Sequence, residues 1–189
     1  MILQVANTLF YICCFLVAIV SNGENMNISK NEDNCVDYEI YVNEIIRNFA
    51  REIRQKYNLY CIGNGGRMPH DVEEIVVNFN YHRTVNIEQA RELEVLATEE
   101  FVSCINAHEK IRPFLREYPF TYERSKVTIS FYDENFRTCA DGSVVLVFQV
   151  KGNLYFFSED SQTKKLETLL EEPYEKSLEI VRNKNNTIP

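Results

Sequence analysis

The sequence predicts an α+β fold: an antiparallel sheet of four or five strands, in the element order α-β-α-β-β-β-(β)-α, with helices packed on one face. Three observations carry this expectation. Apolar residues recur at spacings of three and four in two long segments, 35–57 and 87–109, which is the period of a helix with one buried side. Residues 72–82 alternate apolar with polar, the period of a half-buried strand. After residue 125 come strand-like runs separated by short turn signals, and strands joined that closely lie antiparallel.

The N-terminus is different in kind. The first 20 residues carry no charged side chain, 17 of them are apolar, and residues 9–20 form an unbroken apolar run. That run is too short to cross a bilayer, which takes about 20 residues. It matches the apolar core of a secretory signal peptide, roughly 7–15 residues. Cleavage is expected after Gly23, with small Ser21 and Gly23 at the recognition positions. No Lys or Arg precedes the core, so the alternative is an uncut membrane anchor formed by residues 1–20. Bulky Phe10, Tyr11 and Ile12 before Cys13 and Cys14 do not suit a lipoprotein signal. The expected organisation is a leader at 1–23, a flexible polar linker at 24–34, one α+β domain at 35–183 and a disordered tail at 184–189. The destination is periplasmic or secreted.

The elements follow in order. Tyr38, Val42, Ile45, Phe49, Ile53 and Tyr57 line one side of the first helix. Gly63, Gly65 and Gly66 then break regular structure. In the strand at 72–82, Ile75, Val77, Phe79 and Tyr81 point one way. Asn86 and Gln89 form a loose capping pattern for the second helix. The apolar line of that helix is Ala90, Leu93, Ala97, Phe101, Cys104 and His108, and Pro113 marks its end. Residues 112–124 form a connector rich in Pro, aromatics and Arg. Strands are expected at 126–132, 144–150 and 154–158, with turns at Asp141-Gly142 and Gly152-Asn153. Residues 166–170 suit either a fifth strand or a helix. A last helix starts at Pro173 and presents Leu178 and Val181.

Composition excludes some functions. The net charge is −8, and an acidic surface repels nucleic-acid backbones and anionic lipid. Membrane contact is therefore expected only through an uncleaved leader. Cys35, Cys61, Cys104 and Cys139 remain after cleavage, an even number that in an exported chain permits two disulfides in any of three pairings. Buried, unpaired cysteine is the alternative for each. Asn27-Ile28-Ser29 and Asn185-Asn186-Thr187 fit the glycosylation pattern.

Candidate sites are few. Gly63, Gly65 and Gly66 could turn backbone N–H groups on an anion. A nucleotide P-loop needs Lys-Ser/Thr after its glycines and here Arg67-Met68-Pro69 follows, while a dinucleotide loop needs a strand before, a helix after and Gly-x-Gly-x-x-Gly spacing, so a flexible link is the better reading. Cys104 and His108 share a helix face and could form a nucleophile pair or half of a metal site. They also continue the buried line of their helix, which favours packing. Arg112, Phe114, Arg116, Tyr118 and Phe120 mix large apolar groups with Arg, the residue types of binding hot spots. Their alternative role is to fold back over the core. The acidic pairs Glu73-Glu74, Glu99-Glu100 and Glu171-Glu172 read as solvated, as does His82.

Several runs together resemble a known group. Cys61-Ile62-Gly63-Asn64-Gly65-Gly66 leads into a strand, and Asn86-Ile87-Glu88-Gln89-Ala90-Arg91 opens a helix. Ile105-Asn106-Ala107 precedes Lys110-Ile111-Arg112-Pro113-Phe114-Leu115, and Tyr118-Pro119-Phe120 follows. In that order they resemble an uncharacterised family of exported proteins from chlamydia-like intracellular bacteria, over residues 57–181. The resemblance implies an envelope or host-facing location, which makes the glycosylation triplets irrelevant. It brings no activity or site residues. The sequence thus predicts a non-enzymatic exported domain that binds another protein, through residues 112–122 or an exposed strand edge, with no cofactor. The alternative is a thiol-dependent enzyme or metal-binding protein using Cys104 and His108.

Overall fold

The computed structural model describes residues 37–137 and 142–186. The leader, the linker, Cys35, Cys139, Asp141 and residues 187–189 lie outside them.

Helix α1 spans Asp37–Tyr57. Its apolar line turns inward as expected: Tyr38, Val42, Ile45, Phe49 and Ile53 are buried. Asn58 ends it at φ 59°, a left-handed conformation that Asn adopts more readily than most residues. Strand β1, Tyr60–Arg67, follows, and pairs antiparallel with β2, Glu74–Tyr81. The run of glycines expected to be a flexible link is therefore a strand. Glycine has little strand preference of its own. The apolar alternation of β2 buries one face, and its free hydrogen-bonding edge imposes the pairing.

Helix α2, Ile87–Ala107, begins with the capping box read from the sequence. The Asn86 side chain accepts from Gln89 N–H at 2.9 Å, and the Gln89 side chain accepts from Asn86 N–H at 3.1 Å. A 3-10 turn, Glu109–Phe114, holds Pro113. Then come β3, Ser125–Phe131, β4, Leu146–Val150, β5, Asn153–Glu159, and β6, Leu166–Pro173. Residues 166–170 thus belong to a strand. Helix α3, Tyr174–Asn186, takes in 184–186, which the sequence assigned to the tail.

Among the described residues, the sheet has six strands in the order β1-β2-β3-β4-β5-β6. Strands β2 and β3 run parallel, from Ile75 opposite Ser125 to Tyr81 opposite Phe131. Every other pairing is antiparallel. This corrects the expectation of a wholly antiparallel sheet of four or five strands. A 21-residue helix separates β2 from β3 and returns the chain to the end it left, so the next strand repeats the direction. The short-turn argument holds for the β4–β5 hairpin. There Lys151 and Gly152 take φ 50° and 79°, as a two-residue hairpin turn requires.

The three helices lie side by side over one face. Helix α1 sits by β1, α2 crosses β3 and β4, and α3 covers β5 and β6. Beneath them Ile75, Phe79, Val127, Ile129, Val147, Leu154 and Phe156 are fully buried. Because α2 is flanked by both other helices, its buried surface extends past the apolar line to Arg91, Glu94 and Thr98. The opposite face carries rows such as Gly63–Asn78–Thr128–Phe148–Tyr155–Glu171, half-buried or exposed. Among the described residues, no helix is long and apolar enough to cross a membrane.

Candidate functional site

Among the described residues, strand β1 has a neighbour on one side only. Ile75 N–H donates to the Arg124 carbonyl, and the Tyr81 carbonyl accepts from Tyr132 N–H. The odd-numbered residues of β2 therefore turn their peptide groups to β3. Val76 and Asn78 turn theirs to β1, opposite Gly65 and Gly63. Asn64 and Gly66 consequently direct their N–H and C=O groups outward from the sheet.

Edge strands are usually blunted by charge, proline or bulges. The far edge follows that rule, since β6 carries Glu167, Glu171, Glu172 and Pro173. From Tyr60 to Gly66, β1 has neither charge nor proline. A bulge between Cys61 and Gly63 displaces Ile62, which is 60% exposed. It confines the open edge to residues 63–67.

The glycines of β1 have different reasons. A Cβ on Gly66 would collide with the Glu74 carbonyl oxygen. A Cβ on Gly65 would meet nothing within 4 Å, and one on Gly63 only Asn78 Nδ2 at 3.9 Å. Neither residue has a positive φ. Backbone conformation and local packing therefore leave Gly63 and Gly65 unexplained. Glycine inside a strand is also a mark of close approach by another backbone.

A groove of about 350 Å³ runs between α1 and β1, lined by Asn43, Ile46, Arg47, Ala50, Cys61 and Asn64. The Arg54 guanidinium lies 4.7 Å from the centre of the Tyr60 ring at the start of β1. Cys61 is an exposed free thiol at the groove wall, and partial burial pushes its pKa up. A second hollow, about 290 Å³, lies among Tyr57, Tyr81, Val85, Gln89, Leu93 and Leu96. Two of its polar groups are already engaged. The Tyr57 hydroxyl donates to Glu100 at 2.7 Å, and Gln89 caps α2. Desolvation and that bond push the Tyr57 pKa up to about 12.

The residues expected to bind a partner in 112–120 are strapped down. Phe120 is 1% exposed. Its N–H donates to Asn106 Oδ1 at 2.8 Å, and its carbonyl accepts from Asn106 Nδ2 at 2.9 Å. Phe114 packs half-buried against the Tyr38 and Tyr41 rings. Arg116 makes a two-pronged pair with Asp71 and also reaches Glu73. Arg112 donates to the Asn106 carbonyl and lies 5.2 Å over the Tyr118 ring. Tyr118 is 52% exposed and precedes a cis proline, Pro119.

Cys104 and His108 face different partners. Cys104 is half-buried against the core, and burial, with Glu52 and Glu100, raises its pKa. An activated thiolate needs the opposite surroundings. His108 Nδ1 accepts from Ile111 N–H at 3.3 Å, and Nε2 lies 3.8 Å from Glu44. Cys61 and Cys104 are both free, which corrects the expected bridging for these two. Neither their helix nor their strand brings the sulfurs together. Among the described residues, no three metal-type side chains cluster.

Two of the acidic pairs read as solvated are half inside. Glu73 is buried between Arg67 and Arg116. Buried Glu172 accepts from Arg91 Nε at 2.5 Å and from Ser177 Oγ at 2.7 Å. His82 stands half-buried among the Tyr60, Tyr132 and Phe136 rings. Sequence reasoning missed Glu94, which is 0% exposed with both oxygens unpartnered. Burial raises its pKa well above the ordinary value. Glu94 stands four residues after Ala90 and three before Ala97, on the apolar side of α2, and the sequence reading passes over it because a carboxyl group is ordinarily solvated.

Fold and edge together describe a mixed six-stranded sheet, covered by helices on one face and open along one strand. Against known proteins, the chain matches no family model, no curated protein and no solved structure.

Proposed function

We propose that this chain is an exported, non-enzymatic interaction domain that takes an extended segment of a partner protein onto the free edge of β1. One observation carries the reading. A side chain at Gly65 would meet open space and one at Gly63 only an ordinary contact with Asn78, and neither position has a conformational need for glycine, next to outward-facing peptide groups. Strand addition uses main-chain hydrogen bonds for affinity and alternate side-chain pockets for specificity. The groove beside Cys61 and Asn64 would supply such pockets on the helix side. Residues 112–120 hold the adjacent corner rigid rather than making the contact.

The apolar run at residues 9–20 supports export, and the resemblance to an uncharacterised exported family implies the same. Mass spectrometry of the chain recovered from an exporting host tests cleavage: a start at Glu24 is expected, and an intact Met1 favours the anchor. The edge is tested by selecting displayed random octapeptides on the purified protein. Selected peptides should lose binding to Asn64→Pro. That variant removes one outward N–H and spares the β2 pairing, as proline on an edge strand does. Peptides that bind the variant equally well would rule out the β1 edge.

A further inference from the structure

Helix α1 sorts its charges by face. Glu44 lies 3.8 Å from His108. Glu52 acts electrostatically on Lys56 and Cys104, on the side of α2. Two of its arginines go the other way. Arg47 lines the groove beside β1, and Arg54, two helical turns on, lies over Tyr60 of β1. Among the described residues, Arg47 has no ion-pair or hydrogen-bond partner. This chain of net charge −8 neutralises Arg67, Arg91, Arg116, Arg124 and Arg182 within itself. It nevertheless leaves positive charge along its unprotected strand edge.

We infer that the segment taken up by β1 is acidic, an extended peptide with Glu or Asp at alternate positions, one of whose carboxylates meets Arg47 in the groove while Arg54, over Tyr60, adds positive charge beyond the bulge. This rests on the strand-addition reading and adds the chemistry of the partner. Alternation matters because every second side chain of an added strand faces the helices. Guanidinium groups bind carboxylates with paired, charge-assisted hydrogen bonds. Residues facing the other way pass beside Gly63 and Gly65, which put no side chain of their own in the way.

The test uses three fluorescein-labelled peptides, Ac-(Thr-Glu)4-NH2, Ac-(Thr-Gln)4-NH2 and Ac-(Thr-Lys)4-NH2, followed by anisotropy with the purified protein. The Glu peptide should bind at least about ten-fold more tightly than the Gln peptide, and the Lys peptide should not bind. Raising NaCl from about 50 to about 500 mM should weaken the Glu peptide alone. Arg47→Gln with Arg54→Gln, on an exposed helix face, should abolish the difference between the Glu and Gln peptides. Asn64→Pro should abolish all binding. Equal affinity for Glu and Gln peptides, or an unchanged preference in the arginine variant, would overturn the acidic partner and leave strand addition standing. Binding that survives Asn64→Pro would overturn both. If none of the three binds while selected octapeptides do, the acidic chemistry is wrong. If the chain pairs with itself through β1 in sedimentation, the occupant is a second copy and the inference fails.

Discussion

Glu94 is a carboxyl group that the fold keeps out of water. Thr98, one turn along α2, is as deeply buried, and neither has a hydrogen-bond partner. Arg91, one turn back, is committed to Glu172, and the Tyr174 hydroxyl donates to Glu99 at 3.1 Å. Burial, with no hydrogen-bond partner among the described residues, favours the protonated form of Glu94 and raises its pKa. The unfolded chain releases that proton near the ordinary value of 4.5. The folded state then binds the extra proton, so stability is greatest below that pH and falls as pH rises toward the raised pKa. Glu94→Gln cannot titrate. Its stability relative to the parent should improve by up to about 1.4 kcal/mol per pH unit across that window, as measured by urea unfolding at several pH values. A constant difference would show that the carboxyl finds a counter-charge. The glycines of β1 give a second contrast at this scale. Gly65→Ala meets no neighbour and should stabilise by about 0.4–1 kcal/mol through the unfolded chain. Gly66→Ala meets the Glu74 carbonyl and should destabilise by more than that. Thermal unfolding of the two variants checks the pair. The sequence showed three glycines close together; only the neighbour of each distinguishes them.

At the scale of elements, the strap from Arg112 to Phe120 closes one corner of the core. Phe120→Ala should cost about 3–5 kcal/mol, as a large buried ring does. Tyr118→Ala, half in solvent, should stay within about 0.5 kcal/mol. Asn106→Ala strands both the N–H and the carbonyl of Phe120 and should cost about 1–3 kcal/mol. Chemical denaturation of the three variants orders them. The reverse order would mean that the strap is a display surface. Here the sequence singled out these residues with two roles open, since Phe and Arg look alike in a hot spot and in a clamp. The helices were the most legible elements. Tyr38, Val42, Ile45 and Phe49 all turn inward, and Asn86 with Gln89 caps α2 as read. In each case the signal and the structure it produces lie within one or two turns.

At the scale of the molecule, contacts distant in sequence tie the two halves of the sheet together. Arg91 and Glu172 stand 81 residues apart and meet out of water, linking α2 to the last strand. Arg91→Met leaves a buried carboxylate unpaired and should cost about 3–5 kcal/mol, whereas the double variant with Glu172→Leu should recover most of it. A double-mutant cycle in denaturant measures the coupling. Additive losses would mean that the pair is solvated in practice. The strand direction is likewise a property of the whole. A βαβ connection and a hairpin both read as strand signals in sequence, and only the length of the link separates them.

By itself, the sequence determined the period of each element, the cap of α2, the acidic balance and the uncharged apolar run at residues 9–20. These depend on neighbours a few residues away. The tertiary structure decided that the glycine run is an edge strand, that β2 and β3 are parallel, that Cys61 and Cys104 stay free, and that Glu94 and Glu172 lie inside. Each of those outcomes depends on which distant surface arrives beside a residue. Local periodicity carries no record of that arrival.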